Sequence, residues 1–153
     1  MQCRLSEFCK RVEPAVEKLQ SLALLAMRLV LAYGFLGPAK MKWSDIGSVA
    51  EWFGSMGLPL PTLQAYLAAT AEGSGVVLLT LGLFTRLISI PLMVVMTVAI
   101  VLVHLPNGFQ SGNNGFEIPL YYFIMLFVLL THGGGRFSLD WLLFKRAEED
   151  EKA

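Results

Sequence analysis

Residues 63–105, LQAYLAATAEGSGVVLLTLGLFTRLISIPLMVVMTVAIVLVHL, run for 43 positions with one acid, Glu72, and one base, Arg86. A bilayer core about 30 Å thick is crossed by roughly 20 apolar residues rising about 1.5 Å each. The stretch therefore holds two spans, 63–84 and 87–105, and Thr85 with Arg86 joins them as a tight antiparallel hairpin. A helix is the open segment that satisfies its own backbone in hydrocarbon. Working outward, 19–37 and 118–132 read as two further spans. The last is slightly short, with Tyr121 and Tyr122 near one end and His132 plus three glycines at the other marking interfacial boundaries. The predicted fold is all-α, an integral membrane four-helix bundle with short interfacial helices.

The rest of the 153-residue chain fits a lipid-facing protein. It is 55% hydrophobic and 16% charged, with a mean hydropathy of +0.59, too apolar for an ordinary soluble domain. Twelve basic and twelve acidic residues give zero net charge, so no basic surface is expected for a nucleic-acid backbone. Cys3 and Cys9, with no C-x-x-C, offer neither a disulfide framework nor a thiol relay. Seven charges in the first 18 residues do not fit a cleavable signal, so that segment is expected to remain. The reading divides the chain into an amphipathic segment 1–18, a membrane domain 19–143 and a charged tail 144–153.

Positive residues set the expected topology. Arg4, Lys10, Arg11, Lys18, Arg86, Arg136, Lys145, Arg146 and Lys152 fall on one side, against Lys40 and Lys42 on the other. Both termini are thus expected in the cytoplasm, with the segments after spans one and three facing outward. In the first, Ser44 is expected to cap a short interfacial helix carrying Ile46, Val49, Trp52, Phe53 and Met56, stopped by Pro59 and Pro61. Leu5, Phe8, Val12, Val16 and Leu19 form an apolar stripe, and Ser138 is expected to cap a segment with Leu139, Trp141, Leu142 and Phe144.

Arg28 and Glu72 stand about halfway along spans one and two. Charges at the bilayer centre are costly unless they face the interior and meet, so the two are expected to pair. Such a pair either fixes helix register or lines a cavity, the guanidinium gripping a carbonyl or anion while the carboxylate relays a proton. Gly73 and Gly75 permit close packing or room for a ligand. At the outer edge, Lys40, Lys42, His104, Asn107, Asn114 and Glu117 are expected near one level as a polar mouth, with His104 the candidate proton shuttle. His104 and His132 fall a membrane apart, so neither haem nor metal is predicted. Met93, Met96 and Met125 read as adaptable core packing.

Four ordered pieces carry a family resemblance. They are RLVLAYGFLGPAK (28–40), EGSGVVLLTLGLFTR (72–86), NGFEIPLYY (114–122) and GGGRFSLD (133–140). Over about residues 20–143 the chain resembles the DoxX family of small bacterial membrane proteins. The resemblance implies a four-helix inner-membrane bundle associated with redox systems: one relative is part of a thiosulfate to quinone oxidoreductase, and others accompany partners that handle oxidative or thiol stress. Some branches with a similar outer loop accompany genes for small metal-responsive peptides. Arg28, Lys40, Glu72, Arg86 and Glu117 match the family's polar positions. Lacking C-x-x-C, the chain departs from thiol-active quinone reductases such as vitamin K epoxide reductase.

The resulting expectation is an accessory or quinone-reactive subunit of a membrane oxidoreductase. Arg28, Glu72 and His104 are its candidate catalytic residues, Lys40, Asn114 and Glu117 its candidate ligand-binding residues, and Arg86 and Asp140 structural or interface positions. The expected partners are the lipid bilayer and a redox protein or a second copy of the chain. Two alternatives belong to other classes: a transporter or binding protein for a small anion, peptide or metal-peptide, and a non-catalytic structural subunit.

Overall fold

A computed structural model describes the backbone of residues 2–143 and the side chains of 19–143. The stripe at 5–16, both cysteines and the charged tail therefore lie outside the described side chains. Among the described residues the chain is all-helical, with no strand. Helix α1 (Gln2–Ser44) is followed by a short α2 (Ile46–Ser55), α3 (Pro61–Leu81) and α4 (Thr85–Val98). The last runs on through wide π-type turns (Ala99–His104) and a 3-10 turn (Leu105–Asn107). After a second 3-10 turn (Ser111–Asn113) comes α5 (Glu117–His132), and a final helical turn occupies 139–143.

Helix α1 packs on α3, α3 on α4, α4 on α5, and α5 returns to α1, with α2 laid against α3. The core between them is Leu31, Phe35, Leu79, Leu92, Leu126 and Leu129. Met96 is buried there, and Met93 and Met125 pack against it, as expected of gap-filling thioethers. The outer faces are apolar too: Leu29, Val30, Val77, Leu87, Val94 and Phe127 are exposed. Exposed apolar surface on this scale marks contact with a membrane or a partner. Two stretches, Leu19–Ser44 and Thr85–Asn107, are long and apolar enough to cross a bilayer, and Glu117–His132 is a shorter apolar helix.

Small residues let the helices approach. A β-carbon on Gly75 would sit 2.9 Å from Leu92 Cδ1, and one on Gly73 3.3 Å from Trp43 Nε1. Close packing is therefore what these two glycines provide.

Two sequence expectations need correction. The first helix does not stop at Gly37; it continues through Pro38 to Ser44. Proline removes one backbone donor and crowds the carbonyl four residues back, which here belongs to Gly34, a residue without a side chain. Membrane helices accommodate such positions because neighbours re-satisfy the backbone. The second correction is the cap of α2, which is Asp45 rather than Ser44. Asp45 Oδ1 accepts from the Ser48 amide at 3.1 Å and Oδ2 from the Ser48 hydroxyl at 2.6 Å, whereas the Ser44 hydroxyl donates back to the Met41 carbonyl. The Ser48 hydroxyl, and then its amide, hold the exposed Asp45 carboxyl below the usual carboxylate range. Ser138 does cap the final turn, accepting from the Trp141 amide at 3.2 Å.

Helix α3 ends at Gly82, whose φ of +67° suits a residue without a β-carbon. Its missing side chain matters more, because a β-carbon there would overlap the Arg28 guanidinium. Gly82→Ala is therefore expected to destabilise the purified protein by about 2 kcal/mol or more, combining left-handed strain with displacement of a buried cation. Thermal unfolding in mild detergent checks this, and an unchanged midpoint would refute it.

Candidate functional site

The site begins with helix register. In an antiparallel pair, residues at the same height have a constant index sum. Arg28 against Gly82, Lys42 against Glu72 and Trp43 against Ala69 all give sums of 110–114. Arg28 with Glu72 would need 100, so the expected pair is ruled out: a turn-by-turn rise of 1.5 Å per residue separates the two charges by about 15 Å along the bundle.

Glu72 is 2% exposed and pairs with Lys42 instead, whose Nζ donates to Oε1 at 2.9 Å and to Oε2 at 2.8 Å. Lys42 lies on the same face of α1 as the buried Arg28, Leu31, Phe35 and Ala39. Glu72 lies on the buried face of α3 with Ala65, Ala68, Ala69, Gly75 and Leu79. Alanines and glycine on that face bring the backbones close enough for a lysine to reach across. The Trp43 indole N–H seals the joint by donating to the Ala69 carbonyl at 3.1 Å.

The ion pair forms part of the wall of a cavity of about 800 Å³. The remaining lining is largely apolar and comes from α1, α2, α3, α4, the π-type turns and α5, including Phe35, Trp52, Phe53, Val95, Pro119 and Tyr122. Exposed Leu67, Ile90, Val94 and Ile118 stand at its rim, so the cavity opens toward the apolar flank of the bundle. Gln64 and His104 add polar groups.

His104 ends the π-type turns, with Nδ1 2.8 Å from the Asn114 carbonyl oxygen. That oxygen only accepts, so Nδ1 carries the hydrogen and Nε2 is the nitrogen able to take up a proton. The Asn107 side-chain amide donates to the same carbonyl at 3.2 Å. Asn114 itself adopts φ +58°, a conformation asparagine tolerates. Glu117 accepts from the Ser111 amide at 3.0 Å and the Tyr121 hydroxyl at 3.1 Å. The expected polar mouth is thus a loop that Asn107, Asn114 and Glu117 hold in shape beside His104. Lys40 is exposed and outside the cavity lining.

Arg28, Arg86 and Asp140 gather at the opposite end. Arg28 is 1% exposed and donates to the carbonyls of Gly134 at 3.1 Å and Phe137 at 2.7 Å. Asp140 accepts from the Phe84 amide at 2.6 Å and the Thr85 amide at 2.9 Å, capping α4 from a distant part of the chain. Its own amide donates to Gly82. Arg86 donates to the Thr131 carbonyl. These contacts fasten the segment after α5 under the bundle.

The sequence reading missed Lys42 as the partner of Glu72. The available signal was the apolar stripe of α1, which places Lys42 two turns beyond Phe35 on one face once the helix is carried past Pro38.

This is an all-helical bundle with an apolar outer surface and a buried ion pair beside an apolar cavity. The sequence profile of the DoxX family matches residues 23–105, more than half of the chain. The chain belongs to the DoxX family of membrane proteins. It is 32% identical over 127 residues to an uncharacterized protein of Haemophilus influenzae, covering 80% of this chain and 84% of that one. An uncharacterized membrane protein of Mycobacterium tuberculosis is 34% identical over 137 residues, covering 82% and 83%. CatD of Bacillus subtilis, named as a candidate oxidoreductase, is 31% identical over 122 residues, covering 79% and 87%. No solved structure matches the chain.

Removing one partner of a buried pair leaves an uncompensated charge, at a cost of about 3 to 5 kcal/mol. Lys42→Met alone is expected to destabilise strongly, and Lys42→Met with Glu72→Leu to recover most of the loss. A double-mutant cycle by thermal unfolding checks this; additive losses would refute the pairing.

Proposed function

We propose that the protein is a quinone-binding subunit of a membrane redox system, working with a partner protein that supplies electrons. The observation that carries this reading is the Lys42–Glu72 pair set in the wall of an apolar cavity of about 800 Å³. That volume lies within the roughly 300 to 1,000 Å³ typical of small-molecule sites, which are mostly apolar with a few placed polar groups. A lipophilic ligand with a carbonyl-bearing head matches such a lining. The naming of a relative as a candidate oxidoreductase supports the same class.

When bound, a quinone supplies two-electron, two-proton redox chemistry. Lys42 Nζ is the donor for a carbonyl oxygen, and the Glu72 carboxylate oxygens are the place where a proton is held. His104 Nε2 exchanges protons between the cavity and the loop carrying Asn114 and Glu117. Phe35, Trp52 and Phe53 exclude water and flank the ligand. Arg28, set at the other end, takes no part in binding.

The same reading gives four membrane-crossing helices, α1, α3, α4 and α5, within a domain of residues 19–143. The arrangement is that of a bacterial inner-membrane bundle with both termini cytoplasmic. The loop after His104 and helix α2 lie at the outer interface.

Binding of menaquinone or ubiquinone to the full chain in nanodiscs, followed by tryptophan quenching and native mass spectrometry, tests the proposal. A hydrogen bond to a charged group is worth about 1.5 to 3 kcal/mol, so Lys42→Met with Glu72→Leu is expected to weaken binding roughly tenfold or more while the protein stays folded. Absence of binding by the unaltered chain, or equal binding by the folded variant, would overturn it.

A further inference from the structure

One polar group of the cavity has no role in the chemistry above: the Tyr122 hydroxyl. Tyr122 follows Pro119 by one turn on α5 and shares the inward face with the buried Pro119, Leu126 and Leu129, so its half-buried ring is turned into the bundle. Gly34 of α1 lies against it, and a β-carbon there would overlap the hydroxyl. The Phe35 ring meets the phenol edge-on, with centroids 5.6 Å apart and planes at 63°. Bare backbone on one side and a buried aromatic neighbour on the other thus set where the hydroxyl stands.

Gly34, Phe35 and Tyr122 all line the cavity, and the Tyr122 hydroxyl has no hydrogen-bond partner among the described residues. A tyrosine hydroxyl in apolar surroundings usually finds one. Lys42 Nζ carries three N–H donors and directs two of them at Glu72. One lysine N–H and the tyrosine O–H therefore both remain for a ligand.

Their spacing selects the ligand. By the register sums of 110–114, Glu72 lies level with residues 38–42 of α1. The middle of that range is six residues beyond Gly34, or about 9 Å along the axis at 1.5 Å per residue. A hydrogen bond of about 2.9 Å at each end leaves a few ångström for the ligand's own acceptors. Two carbonyl oxygens at opposite ends of a six-membered ring, set oblique to the axis, span such a gap; a single carbonyl reaches one end.

We propose, resting on the quinone-binding function above, that the ligand head is a cyclic 1,4-dicarbonyl held at both ends, one oxygen on Lys42 Nζ and the other on the Tyr122 hydroxyl. Tyr122 is then a specificity-determining residue, and Gly34 is the notch that admits its hydroxyl.

The test compares menadione, a 1,4-naphthoquinone, with 1-tetralone, which carries one carbonyl on the same two-ring frame. Both are titrated into the full chain in nanodiscs and read by native mass spectrometry. Tyr122→Phe keeps the ring and its contact with Phe35. A neutral hydrogen bond is worth about a factor of five, so this variant is expected to bind menadione about fivefold more weakly and 1-tetralone unchanged. Infrared difference spectra of menadione labelled with 13C at its carbonyls should show two lowered carbonyl stretches in the unaltered chain. Tyr122→Phe should return one to the unbonded frequency, and Lys42→Met with Glu72→Leu the other. If the unaltered chain binds menadione but Tyr122→Phe changes neither affinity nor spectrum, the two-ended grip is overturned and the quinone site stands. No binding of menadione or of the longer quinones by the unaltered chain would overturn both.

Discussion

The ion pair between Lys42 and Glu72 fixes how the first long helix lies against α3. Two opposite charges taken out of water lose several kcal/mol of solvation each, and only close, well-aligned contact restores it. Both carboxylate oxygens lie within 2.9 Å of one ammonium. That closeness requires α1 to continue through Pro38 and α3 to show a face of alanine and glycine. Sliding either helix by one turn would part the charges by about 5 Å along the axis. The register thus depends on the pair, and the cavity, walled on two sides by these helices, depends on the register.

Polar groups divide between the two ends. At one, Lys42, Glu72 and His104 surround space. At the other, Arg28 fills it: the guanidinium occupies the room left by Gly82 and Gly134 and ties down the carbonyls of the segment after α5. Asp140 completes that fastening by capping α4. Several positions that match the DoxX pattern are accounted for by these contacts. Membrane proteins in general need such pins, because lipid offers little driving force for helix association.

Much of this was legible in the chain. Hydropathy located the four long helices and a tight connection between α3 and α4, but the turn is Gly82–Phe84, and Thr85 and Arg86, expected to form it, are the first residues of α4. Ser138 was read correctly as a cap from its place before an apolar turn. Depth was not legible. Counting inward from assumed helix ends put Arg28 level with Glu72, because a Gly-Pro dipeptide was taken as a terminus. In water a proline at that place commonly ends a helix; here the helix runs on for six more residues and carries Lys42 to the buried face. The cap of α2 moved by one residue for the same reason. The role of the glycine run was invisible because it depends on contacts more than one hundred residues away in sequence.

The most direct test of this account is a solid-state NMR dipolar recoupling measurement between 15N in lysine side chains and 13C in glutamate carboxyls, made on the full chain in lipid bilayers. Assignment comes from Glu72→Gln. The account predicts a strong coupling at the contact distance of an ion pair, N···O below about 4 Å, that disappears in the variant. A Glu72 carboxyl coupled to arginine guanidinium nitrogen, with no lysine nearby, would contradict it.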